Sequence, residues 1–255
     1  MFLRRIVTPA LFAVLLLGAP TGASAQGFSG PQRDEIGAIV REYLLAHPEV
    51  LEEVSAELSK RQAAAESAKH GAAVKKNAEL IFNSPRGVLI GNRSGDVNFV
   101  EFFDYNCGYC KKAMSDMLDL MKSDPKLRVV LKEFPVLGPG SVEAAQVAVA
   151  VRMQDPTGKK YLDFHQKLLN GRGQADKARA LAVAKEAGLD MARLEKDLTS
   201  AEVRATLEEN FKMAEDMGLN GTPSYVIGEQ VVVGAVGLES LKEKIGIARC
   251  GKAIC

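Results

Sequence analysis

The sequence has little excess charge of either sign. Thirty-three basic side chains stand against thirty-two acidic ones, a formal net charge of +1, and no basic run exceeds two or three residues. Composition therefore makes no case for nucleic acid or an anionic membrane surface as partner. Histidine is scarce: His47, His70 and His165 are scattered and none flanks a cysteine pair, so all three read as surface or helix-packing residues. Long apolar runs are missing too. The stretch from Pro9 to Leu17 is mostly apolar but too short for a comfortable membrane span. Zinc spacing is absent: a zinc site needs four ligands, usually from two closely spaced pairs, whereas Cys250 and Cys255 have four residues between them. No internal repeat is visible.

What is present begins with Cys107-Gly108-Tyr109-Cys110. This C-x-x-C ends an apolar strand-like run, Val97 to Phe103, and opens a helix-like stretch, Lys111 to Lys122. The first sulfur therefore sits at a helix N-terminus, where unpaired N–H groups and the helix dipole favour thiolate over thiol. Thiolate is the species that attacks disulfides. Cys107 is the expected nucleophile and Cys110, one helical turn deeper, the group that resolves a mixed disulfide. Lys111 and Lys112 add a positive field that solvent screens.

Export is the second expectation. Arg4 and Arg5, the apolar stretch after them and Ala23-Ser24-Ala25 fit a signal peptide spanning residues 1–25, cleaved after Ala25. Such a chain works in an oxidising compartment. Four cysteines in two close pairs suit that setting, with Cys250 and Cys255 closing a structural disulfide.

Ile36, Ile39, Val40, Tyr43 and Leu44 recur at helical spacing, His47-Pro48 breaks the helix, and Leu51, Val54 and Leu58 continue it. From Arg61 to Ala78 the chain is rich in Ala, Lys and Glu and poor in large apolar residues, so this helix is a solvated connector or packs on another copy. Residues 26–84 thus read as an N-terminal helical segment that serves oligomerisation. Beyond it the pattern is strand (88–90), strand (97–103), helix, strand (127–134), a helical block over 141–217, a hairpin (224–227 and 231–233) and a helix from Leu238 to Ile247. Strand–helix–strand predicts a parallel pairing. The order βαβ, helices, ββα is that of an α/β thioredoxin fold, residues 85–140 and 218–249, with an inserted helical domain over 141–217.

Three further groups carry chemistry. Glu101 shares a strand face with Phe99 and Phe103, which predicts burial and a raised pKa for a carboxyl able to move protons to and from Cys110. Thr222-Pro223 precedes the hairpin, and a cis X-Pro there brings the Thr222 backbone against the cysteines to accept a substrate strand. Met114, Met117 and Met121 follow the motif and read as core, although thioether and thiolate together would suit Cu(I). No resident cofactor or metal is expected.

Glu101-Phe102-Phe103, Cys107-Gly108-Tyr109-Cys110, Lys132-Glu133-Phe134-Pro135 and Gly221-Thr222-Pro223 together resemble the DsbA family of periplasmic thiol–disulfide oxidoreductases. The resemblance covers residues 85–248 and implies a thioredoxin fold with a helical insertion, Cys107 exposed and nucleophilic, and Pro223 in cis. Gly-Tyr between the cysteines, in place of Pro-His, removes one stabiliser of the thiolate and argues against a very strong oxidant. The extra segment from Ile36 to about Leu80 is similar to the N-terminal region of the ScsC branch, and this implies a trimer that shuffles wrong disulfides. Isomerase or reductase activity is expected ahead of dithiol oxidase, with copper binding as the competing reading. The expected partners are exported proteins with thiols or disulfides, a membrane-bound redox partner and further copies of this chain.

Overall fold

A computed structural model describes residues 27–255; the expected signal peptide, residues 1–25, lies outside the described residues. Two compact units divide the chain between Leu58 and Ser59. The first holds helix α1 (Gly30–Ala46) and the start of α2 (Glu49–Lys76). Pro31 occupies the first turn of α1, and the Gln32 carboxamide accepts the Ser29 N–H at 2.9 Å. The break at His47-Pro48 falls where the sequence puts it. No residue of α1 is buried, and Ile36, Ile39, Val40, Tyr43, Leu51, Val54 and Leu58 are all exposed. An apolar stripe this long with nothing on it is unusual for a helix that works alone.

The second unit is built on a five-stranded sheet of order β1-β3-β2-β4-β5. The strands are β1 (Val88–Gly91), β2 (Val97–Phe103), β3 (Leu127–Glu133), β4 (Ser224–Ile227) and β5 (Gln230–Val233). β2 and β3 pair in parallel and the other neighbours are antiparallel. A parallel pair needs a crossover, which α3 (Gly108–Ser123) supplies. β2 is central and covered on both faces, hence its nearly unbroken apolar run.

Between β3 and β4 run α4 (Pro139–Gln154), α5 (Lys159–Asn170), α6 (Lys177–Glu186), α7 (Met191–Leu198) and α8 (Ala201–Asp216); α9 (Leu238–Cys250) follows the hairpin. Phe99, Phe103, Leu131, Tyr225 and Ile227 form one sheet face, packed with residues of α3, α4, α5, α6 and α9. Val100, Phe102, Val130 and Val226 form the other face, packed with Met213 and Met217 from the α8 region.

That second face departs from the sequence expectation. Val74 of α2 and Ile81 of a π-helical turn (Glu79–Asn83) are buried there. Lys132, fully buried, donates to the Leu80 carbonyl at 2.9 Å. Arg86 pairs with Glu202 and Glu209 of α8, and the Ser84 hydroxyl donates to Glu209. Residues 59–84 therefore belong to the sheet-bearing unit, and the compact boundary lies at residue 58 rather than 84. The Ala-rich stretch buries little per residue, but Val74 and Ile81 anchor it.

Candidate active site

β2 ends at Phe103, and four residues later Cys107, with extended backbone (φ −83°, ψ 113°), is the N-cap of α3. The helix buries Cys110, Ala113, Met114, Met117 and Leu120, steps of three and four that turn Cys110 inward. Cys107 is only 7% exposed, buried rather than exposed as the resemblance implies, because the Thr222-Pro223 segment packs on it; Cys110 is sealed, and both are free of disulfides. Tyr109 between them is 70% exposed at the rim.

Thr222-Pro223 is in cis, and the Cys107 sulfur lies 3.2 Å from the Thr222 carbonyl oxygen, to which it donates when protonated. Sequence-distant residues 107 and 222 are thus neighbours. Glu101, 2% exposed, lies on the same face as Phe99 and Phe103 beneath the dithiol, as alternation predicts.

The electrostatics split the two thiols. A hydrogen bond from Cys110 pulls the Cys107 thiol down to about 5, with further help from the Thr222 side chain and from the N–H groups of Cys110 and Tyr109, against the opposing effect of burial. Donation to Cys107 pushes Cys110 far above the usual thiol range, reinforced by burial and by Glu101. Burial, then the charges of Cys107 and Asp116, raise Glu101 to about 8. At neutral pH the site holds a thiolate at the mouth, a thiol behind it and a protonated carboxyl below. That is the distribution thiol–disulfide exchange needs.

Other predicted residues lie elsewhere. Cys250 and Cys255 are bonded to each other at the end of α9, and a cavity lined by Cys255, Leu120 and Ser123 puts them at the far end of α3 from Cys107. Met114 and Met117 are core residues and Met121 packs against the core. His165 is fully buried, where burial pushes its imidazole down to about 3; His47 and the less exposed His70 lie on α1–α2, far along the chain from the dithiol.

Sequence reasoning missed the support of the site. Buried Asp104 accepts the N–H groups of Asn106 (2.7 Å), Val136 (2.8 Å) and Leu137 (2.9 Å) and the Ser141 hydroxyl (2.7 Å). Asn106, immediately before Cys107, bonds Ser141 and both backbone groups of Ala175. The helical insertion thereby holds the turn that presents the nucleophile. Behind it the Tyr161 hydroxyl donates to the buried Glu133 carboxylate, and the Tyr105 hydroxyl lies 3.4 Å from that of Tyr161 and 3.2 Å from His165 Nδ1. The signal for Asp104 was available: an acid directly after an apolar strand, two residues before an Asn, is a side chain placed to bond backbone in a turn.

Comparison with known proteins agrees with this geometry. Residues 99–246 match the DSBA-like thioredoxin domain, and residues 32–65 match the copper resistance protein ScsC N-terminal domain. A thioredoxin-like oxidoreductase from Silicibacter pomeroyi is 40% identical, with 67% of this chain and 96% of that one covered and a TM-score of 0.63. A linker-deletion variant of Proteus mirabilis ScsC is 28% identical over 88% of this chain and 98% of its own (TM-score 0.65). The thiol-disulfide exchange protein alpha-DsbA2 from Wolbachia pipientis is 28% identical over 71% and 96% (TM-score 0.66). The chain spans about a quarter of the length (24%) of the curated relatives it matches, Na(+)/H(+) antiporters of Salinispora arenicola and Salinispora tropica at 25% and 24% identity over 63% and 61% of this chain.

Proposed function

The chain belongs to the DSBA-like thioredoxin domain family, and from that premise we propose that it is a periplasmic protein disulfide isomerase or reductase that works through Cys107 and Cys110. The observation that carries the reading is the pairing of a low-pKa Cys107, against the Thr222 carbonyl at 3.2 Å, with a sealed and protonated Cys110. In this mechanism the Cys107 thiolate attacks one sulfur of a misplaced substrate disulfide, and the other sulfur leaves as thiolate. A second substrate thiolate then attacks the mixed disulfide and regenerates the Cys107 thiolate, so isomerisation consumes no electrons. Alternatively Cys110 attacks, the substrate is released reduced, and the Cys107–Cys110 disulfide is re-reduced by a membrane-bound dithiol donor. The Thr222 backbone pairs the substrate strand at the site.

The exposed apolar stripe of α1 and the start of α2 supports assembly with further copies of the chain, a trimer in this reading, and the match of residues 32–65 to the ScsC N-terminal domain points the same way. Assembly would place several dithiols on one substrate and raise their effective concentration. Export by a cleaved leader belongs to the same proposal.

The test is recovery of ribonuclease activity from scrambled, fully oxidised ribonuclease incubated with the reduced protein. Recovery is expected, and Cys107→Ser abolishes it. No recovery, with the Cys107–Cys110 pair reduced at the start, moves the assignment to dithiol oxidase. The copper reading would need Cu(I) retained stoichiometrically against a chelator.

A further inference from the structure

Glu101 and Tyr225 are in-register partners across the antiparallel β2–β4 pair, which puts their side chains on one sheet face within reach of each other. Both are buried, and both end in an atom with no hydrogen-bond partner, Glu101 Oε2 and the Tyr225 hydroxyl. Each of these buried, unpaired atoms carries a desolvation cost that a hydrogen bond would remove. On its other flank Glu101 faces Leu131 of β3, which offers nothing polar. From α3, Cys107, Cys110 and Asp116 act on this carboxyl; α9 buries only Leu241, Ile245 and Gly246. No basic side chain is among them, and the cross-strand neighbour of Glu101 carries the one hydroxyl in this set, that of Tyr225.

We propose that Tyr225 is a positioning residue for the resolving step: its hydroxyl, which makes no direct bond in this structure, donates through one enclosed water to the Glu101 carboxylate and holds it as the base that takes the Cys110 proton. The step balances without an outside reagent. Cys110 passes its proton to Glu101, the new thiolate attacks Cys107 Sγ, the Cys107–Cys110 bond forms, and the Cys107–substrate bond breaks with the electron pair leaving on the substrate sulfur. Asp116, half-buried on α3, raises the pKa of both Glu101 and Tyr225 and is the acidic group among these nearest to solvent. The inference rests on the dithiol reading above.

The experiment uses the reduced full chain and an aromatic disulfide, dithionitrobenzoate, in single-turnover mode across pH. The first release of thionitrobenzoate reports attack by Cys107 and the second reports attack by Cys110. In the wild type the second rate bends near pH 8, where Glu101 ionises. Tyr225→Phe keeps the ring against Phe99, 5.2 Å away, and removes only the hydroxyl. Loss of a bond to the ionised carboxylate moves the bend up by about one pH unit and slows the second phase about tenfold below it. The first phase stays where it was. Glu101→Gln abolishes the bend, and the Tyr225→Phe, Glu101→Gln double variant matches Glu101→Gln alone. A Tyr225→Phe second phase that superimposes on the wild type, after a normal first phase, overturns the proposal alone. Absence of the first release from the wild type overturns the dithiol reading and this proposal with it.

Discussion

Glu101 carries a stability cost whose sign is fixed by its surroundings. Its proton is held to about pH 8 in the fold and to 4.5 in the open chain. Between those values the folded state binds more protons, so its stability falls as pH rises. At pH 7 the cost is about 3 kcal/mol. Glu101→Gln should therefore raise the urea-unfolding free energy of the reduced protein by about that amount at pH 7. The gain should shrink to nothing toward pH 4.5. Equal stabilities of the two proteins at pH 7 would show that the carboxyl is not desolvated. Lys132 is the counterpart on the other sheet face: burial first of all lowers it to about 8, while its amino group donates to the Leu80 carbonyl and lies 4.0 Å from the Glu209 carboxylate. Nothing in the alternation of β3 separates Lys132 from a solvent-facing lysine. Its burial depends on the π-helical turn arriving from a segment some fifty residues earlier.

Among the elements, the joint between β2 and α3 matters most. Its sequence signals are strong: an apolar run, a C-x-x-C and an amphipathic helix. The parallel pairing, the burial of Glu101 and the contact of Thr222 with Cys107 all follow from them and from the family resemblance. The clamp that holds the joint does not, because it joins Asp104 and Asn106 to Ser141 and Ala175 across the helical insertion. Asp104→Ala leaves three backbone N–H groups and a hydroxyl without their acceptor. A loss of about 3 kcal/mol in urea denaturation is expected, given 1–3 kcal/mol for each buried group left unpaired and partial relaxation. A change within experimental scatter would mean the loop holds itself. The ends of α3 and α9 lie within three residues of the stretches the sequence predicts, Lys111 to Lys122 and Leu238 to Ile247. The π-helical turn was not legible, because Glu79 to Asn83 has no composition that separates it from the helix before it.

At the level of the whole molecule, the sequence divides at residue 84 by change of style and the fold divides at residue 58 by contact. The difference has an experimental consequence. A variant lacking residues 26–84 would strip Val74 and Ile81 from the second sheet face and leave Lys132 without the Leu80 carbonyl. A variant lacking residues 27–58 removes the exposed stripe and spares that packing. Its mass in solution should fall to that of a monomer and its ribonuclease-recovery rate should drop, while its reaction with dithionitrobenzoate stays at the wild-type value. An unchanged oligomer would place the assembly surface in the sheet-bearing unit.

The split between the two active-site thiols also makes the protein selectively addressable. Cys107, a thiolate by pH 6 although only 7% exposed, a sealed Cys110 that stays protonated, and Cys250 and Cys255 tied to each other leave one cysteine reactive toward a small electrophile. A spin label, fluorophore or photocrosslinker can be placed at the mouth of the site, on Cys107, in the unmutated chain, and the surfaces that visit that mouth can then be mapped from the label outward.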